Sequence, residues 1–156
     1  MREYIERISD KVLAEHLESK GAVLIEGPKW CGKTTSGKHL AKSFIEMDRP
    51  DMTEQYQQMA SLKPTALLEG EVPRLIDEWQ IAPGIWNAVR YEVDQRGEFG
   101  QFILTGSSVP PILDESMHTG TGRIVRMKMR PMSLYESKDS TGTVSLEDMF
   151  LGKDIY

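Results

Sequence analysis

The chain has one cysteine, Cys31, so no intrachain disulfide can form. A zinc site is excluded on similar grounds, because His16, His39 and His118 are scattered without ligand spacing. Long apolar runs are missing too. The longest are a few residues, far short of a membrane span, and the opening Met1-Arg2-Glu3-Tyr4-Ile5-Glu6-Arg7 is too charged for a signal peptide. The expectation is a reducing, cytoplasmic setting with no membrane contact. Excess positive charge is also lacking. A formal net charge of -5 argues against coating nucleic acid through bulk electrostatics, and leaves only a local basic patch open. There is no low-complexity tract and no internal repeat. What is present is ordinary globular composition, 39% hydrophobic and 28% charged over 156 residues, which suits one domain with a single core.

Periodicity places the elements. Ile5, Ile8, Val12, Leu13 and Leu17 fall at helical spacing and predict a helix to about Ser19, with Gly21 as its C-cap. Ala22-Val23-Leu24-Ile25 is a continuous apolar run and reads as a buried parallel strand. Leu40, Ala41 and Phe44 mark the inner face of a second helix, and residues 43–47 either end that helix or begin a strand. A turn at residues 48–51 precedes Met52, Tyr56 and Met59 at helical spacing. Residues 73–78 read as a strand finishing in acids. Trp86, Val89 and Val93 give a helix ended by Gly97, and Phe102-Ile103-Leu104 is a strand stopped by Gly106. Residues 122–130 alternate, with Ile124, Arg126, Lys128 and Arg130 on one side and Val125, Met127 and Met129 on the other. Strands alternating with helices predict an α/β fold, a parallel sheet covered on both faces.

One motif carries specific chemistry. Gly27-Pro28-Lys29-Trp30-Cys31-Gly32-Lys33-Thr34 matches G-x-x-x-x-G-K-[ST] without a gap, between an apolar strand and a helix. Glycines let the backbone curl until successive amides face phosphate oxygens, and the following helix turns its positive end to the same anion. Residues 27–35, Thr35 included, are the expected nucleotide-binding segment. Lys33 can reach the β- and γ-phosphates, and the Thr34 hydroxyl can join a magnesium shell. Cys31 sits at a variable position and reads as filler. Asp77 and Glu78 end a strand, where ligands of open α/β sheets bind. Asp77 is the candidate metal ligand with Thr34, and Glu78 the candidate general base toward water. Thr105, Ser107 and Ser108 place hydroxyls beyond the next strand, and any of the three can contact the γ-phosphate. Arg123 follows the flexible Thr119-Gly120-Thr121-Gly122 and is either an exposed strand-start residue or an arginine that stabilises the transferred phosphoryl group. Arg126, Lys128 and Arg130 read as a solvated strand face, because no aromatics interleave them for stacking on single strands.

The ordered segments Leu24-Ile25-Glu26 with the loop, Leu75-Ile76-Asp77-Glu78-Trp79-Gln80, Leu104-Thr105-Gly106-Ser107-Ser108, Gly120-Thr121-Gly122-Arg123 and Arg130-Pro131-Met132-Ser133-Leu134-Tyr135-Glu136 together resemble a known family. It is the prokaryotic AAA-type predicted ATPases, which carry a domain of unknown function after the ATPase domain. The resemblance implies a P-loop NTPase core of the AAA type, with a parallel five-stranded sheet and helices on both faces. It implies ATP and Mg2+ as ligands, with Lys33 and Thr34 on nucleotide and Asp77 and Glu78 on magnesium and water. A hydroxyl within residues 105–108 becomes the sensor, and Arg123 the arginine finger, acting in its own subunit or a neighbour's. It further implies that residues 1–156 are one ATPase domain from the N-terminal part of a longer protein. Homo-oligomers and nucleic-acid contact stay open. The competing reading is a nucleotide-dependent switch with negligible turnover alone. A small-molecule kinase lacks an arginine-rich lid signature, and a GTPase lacks an Asn-Lys-x-Asp string.

Overall fold

The computed structural model describes residues 3–106 and 122–152. Five strands form one parallel sheet: β1 (Ala22–Glu26), β2 (Ser43–Glu46), β3 (Arg74–Asp77), β4 (Phe102–Gly106) and β5 (Ile124–Lys128), in the order β2-β3-β4-β1-β5. Adjacent residues in the central strands point into opposite layers, which is why those strands read as unbroken apolar runs. Leu24, Ile76 and Leu104 enter one core with α3 (Thr53–Leu62) and α4 (Gly84–Arg96). Val23, Leu75 and Ile103 enter the other with α1 (Ile8–Ser19) and α2 (Lys33–Leu40). The sheet is therefore covered on both faces, as expected.

Several local expectations change. α1 begins at Ile8, and Ile5, Ile8 and Val12 are exposed while Leu13 and Leu17 are buried. The helix starts late because Asp10 Oδ2 accepts the Arg7 backbone N–H at 2.8 Å, closing a cap at Arg7. Gly21 is not the cap, which falls at Lys20. Its lack of a side chain is needed for packing, since a Cβ there would lie 2.2 Å from Val93 Cγ1. Phe44 is not on a helix face. α2 stops at Leu40, and Phe44 lies exposed on edge strand β2 with the Lys38 ammonium 4.4 Å from its ring centre. Gly97 does close α4, with φ of 65° and its N–H on the Val93 carbonyl at 3.0 Å. A short helix α5 (Leu146–Phe150) follows the sheet.

All five strands run the same way, so the segments after β1 and β3 emerge at one edge of the sheet. That edge carries the site.

Candidate phosphate-binding site

At the end of β1 the Glu26 carbonyl accepts the Met129 N–H at 2.7 Å, and the chain turns into the loop. A Cβ on Gly27 would lie 2.3 Å from the Met129 backbone oxygen, so only glycine fits. Gly32 takes φ of 103°, the left-handed conformation that lets the loop enter α2. Lys33 then opens the helix, whose first-turn amides have no carbonyl of their own helix to meet. The Lys33 ammonium lies folded over the loop, donating to the carbonyls of Gly27 at 2.9 Å and Pro28 at 2.8 Å. Trp30 at the loop tip is wholly exposed and adopts φ of 64°, unusual for a bulky residue.

β3 brings the acids beside this loop. Buried Asp77 accepts the Thr34 hydroxyl at 2.8 Å on Oδ1, and the same oxygen accepts the Thr105 hydroxyl. Thr105 is completely buried on β4, and its Oγ1 also takes the Glu78 backbone N–H at 3.3 Å. Glu78 leaves the strand with φ of 53° and starts a 3-10 turn, Trp79–Ile81. Its carboxylate accepts the Gln80 side-chain amide. One cleft of about 710 Å3 collects Lys29, Trp30, Gly32, Lys33, Thr34 and Thr35 from the loop side with Asp77 and Glu78 from β3. Asp48 and Gln80 line it as well. Gly27 and Pro28 contribute the carbonyls under Lys33, whereas Cys31 turns into the core with α1.

Arg123 is not brought to this cleft. Arg123 pairs with Asp94 at the surface, and its carbonyl accepts the Ala22 N–H at 3.1 Å. That puts it beside the start of β1, roughly 13 Å of strand away from the loop. Ser107, Ser108 and residues 119–121 lie outside the described residues.

Sequence reasoning missed a group behind the loop. The Arg7 guanidinium is almost fully buried and ties three segments: Nη1 donates to the Cys31 carbonyl at 2.8 Å, Nη2 to the Arg130 carbonyl at 3.0 Å, and Nε to Glu136 at 2.9 Å. Glu136 also accepts the Ser133 N–H at 2.7 Å, the Ser133 hydroxyl at 2.8 Å and the Ile8 N–H at 2.9 Å. Burial alone would push this carboxyl up, but the donors around it, Ser133 first, hold it down at about 2. Tyr4 bonds Asp10 at 2.5 Å and stacks on His39, with ring centres 3.9 Å apart. Burial first and the Asp10 bond second raise its hydroxyl to about 12. Residues 3–7 thereby strap the back of α2 and the loop, and Glu3, Tyr4, Ile5 and Arg7 line an adjoining open pocket of about 480 Å3 that shares Trp30, Gly32 and Thr35 with the cleft. Contacts spanning 129 residues leave no periodic trace, so only the charged residues themselves could have pointed to them.

Thr34 and Asp77 form a pair of hard oxygen donors. Among the described residues no set of three or more His, Cys, Asp or Glu gathers into a metal cage. Such a pair could hold magnesium, which binds through one or two protein oxygens and shares the phosphates of its substrate.

A parallel five-stranded sheet with a glycine-rich phosphate loop after β1 and an acid at the end of β3 defines a P-loop NTPase fold. The model of one family, described as AAA domain, matches residues 19–138, and the chain belongs to that family. It is a nucleotide-binding domain of the AAA ATPase type. Among solved structures it is similar to C. elegans PCH-2 at 20% identity, over 76% of this chain and 37% of that one, with a TM-score of 0.45. That likeness is too loose to bear on function, and the chain spans little more than a third of that protein. No curated protein matches. No helix among the described residues is long and apolar enough to cross a membrane.

Proposed function

We propose that the domain binds ATP with magnesium in this cleft and hydrolyses it to ADP and phosphate. The observation that carries the reading is the 2.8 Å bond between Thr34 and Asp77, which joins phosphate loop to strand-end acid. Lys33 is to leave the Gly27 and Pro28 carbonyls for the β- and γ-phosphate oxygens, exchanging neutral acceptors for charged ones. Thr34 and Asp77 would hold the magnesium ion, and Thr105 fixes the Asp77 carboxylate from below. When bound, the ion neutralises charge on the phosphate oxygens. Glu78 takes a proton from the water whose oxygen attacks the γ-phosphorus, and the bond from that phosphorus to the β-γ bridging oxygen breaks. The adjoining pocket behind Trp30 and Thr35 offers room for the nucleoside. Ser107 and Ser108 remain candidates for the γ-phosphate contact.

Arg123 lies too far from its own cleft to serve there, so its proposed role is at a neighbouring subunit's nucleotide. The same position favours a second reading, a nucleotide-held switch that turns over negligibly as a single copy. Oligomeric state measured with and without nucleotide separates the two: a switch changes assembly even when phosphate release is nil. The test of the site itself is calorimetry with ATP and magnesium. Lys33→Ala is expected to abolish binding, and unchanged affinity would overturn the assignment.

A further inference from the structure

We propose that Gln80 is a positioning residue for Glu78, whose side-chain amide fixes the carboxylate in the orientation needed to take a proton from water; this rests on the hydrolysis reading above. Three observations carry it. Glu78 is held at both ends: its backbone, in a left-handed conformation, donates to Thr105, and its carboxylate accepts from Gln80 Nε2. Second, Gln80 makes this bond at its own expense. Its Oε1 is buried and has no hydrogen-bond partner among the described residues. Buried acceptors are rarely left so, and a residue selected for packing alone would be apolar at this place. Flipping the amide would satisfy nothing, since it would set Oε1 against the carboxylate, acceptor against acceptor.

Third, the neighbouring strand is shaped around this amide. At the end of β4, a Cβ on Gly106 would lie 2.8 Å from Gln80 Oε1 and 3.2 Å from Trp79 Nε1. Glycine there leaves the room that the side chain occupies. Trp79 itself is buried against Trp86, with ring centres 5.2 Å apart, and anchors the short turn from which Gln80 reaches back. The Thr34–Asp77–Thr105 chain of bonds continues through the Glu78 N–H, and Gln80 closes it on the Glu78 carboxylate. The two carboxylates have different side-chain partners, Thr34 and Thr105 for Asp77 and Gln80 for Glu78, so loosening Gln80 leaves the bonds to the Asp77 carboxylate in place.

The test is Gln80→Leu, which keeps the bulk and removes both the amide donor and the orphaned acceptor. ATP affinity should stay at the wild-type value and the melting temperature should hold or rise, while kcat falls about 10- to 100-fold, the scale of a misplaced catalytic group. Turnover falling while stability does not is a pattern that a packing role cannot produce. Wild-type kcat, or losses of affinity and stability together, would overturn the proposal. Should Gln80→Leu fail to fold, Gln80→Met is measured in the same way. If the wild-type chain binds ATP but releases no phosphate, the hydrolysis reading fails, and the Gln80 contact is judged from stability alone. Gln80→Leu must then shift the melting temperature by different amounts in the wild-type and Glu78→Gln backgrounds; equal shifts would refute it.

Discussion

Arg7→Met isolates the ties behind the phosphate loop, because it keeps an apolar stem of similar length and removes every donor. Arg7 and Glu136 are each only 7% exposed at the side chain, so the pair is largely out of water. Removing one partner of a buried ion pair costs about 3–5 kcal/mol. Glu136 keeps the Ser133 N–H, the Ser133 hydroxyl and the Ile8 N–H, which places its share near the lower end. The Cys31 and Arg130 carbonyls each lose a donor, about 1 kcal/mol apiece. The total is about 5 kcal/mol. For a chain of this size each kcal/mol shifts the melting temperature by about 2–4 °C, so a fall of about 10–20 °C is expected. The assay is thermal unfolding by circular dichroism at pH 7, paired with ATP affinity, which should weaken because the Cys31 carbonyl no longer anchors the loop. A fall below about 2 °C would refute the claim that Arg7 ties these segments together.

Acid should unfold the domain partly through Glu136. Its folded pKa of about 2 lies below the unfolded value of about 4.3, so its contribution is complete above pH 4.3 and is lost as pH falls toward 2. Melting temperatures from pH 5 to 2.5 should decline less steeply in Glu136→Gln than in the wild type, and parallel curves would contradict this. Gly27→Ala should unfold or displace the loop, because its Cβ would meet backbone rather than a side chain that can turn aside. Nucleotide binding lost, with a lowered melting temperature, is the expected outcome; a variant binding ATP like wild type would show that the loop and residue 129 do not pack as closely as described.

The fold was legible where apolar runs are unbroken. Val23-Leu24, Leu75-Ile76 and Ile103-Leu104 each send neighbouring side chains into opposite cores, and that two-sided burial is what a continuous apolar strand signals. Phe44 misled because β2 is an edge strand of four residues, too short to display a period, with its one large aromatic on the exposed side. Ile5 misled because helical spacing can persist beyond a cap that is set by a single side chain, here Asp10. Lys33, Thr34, Asp77 and Glu78 were legible from motif and position, and the structure gathers them at one cleft. Arg7, Glu136 and Gln80 were not assigned, since their partners are fixed by tertiary contact and no spacing rule encodes those bonds. Arg123 shows the limit of reading roles along a chain: its distance from the loop depends on the sheet register that pairs Ala22 with Ile124.

The most direct test of the account is phosphate release from ATP and magnesium, comparing the wild-type chain with Glu78→Gln over a range of protein concentrations. Release should disappear in Glu78→Gln while ATP binding is retained, and should climb faster than protein concentration if a neighbour's Arg123 completes the site. Release at the same rate in both proteins would contradict it, because the base would then lie elsewhere.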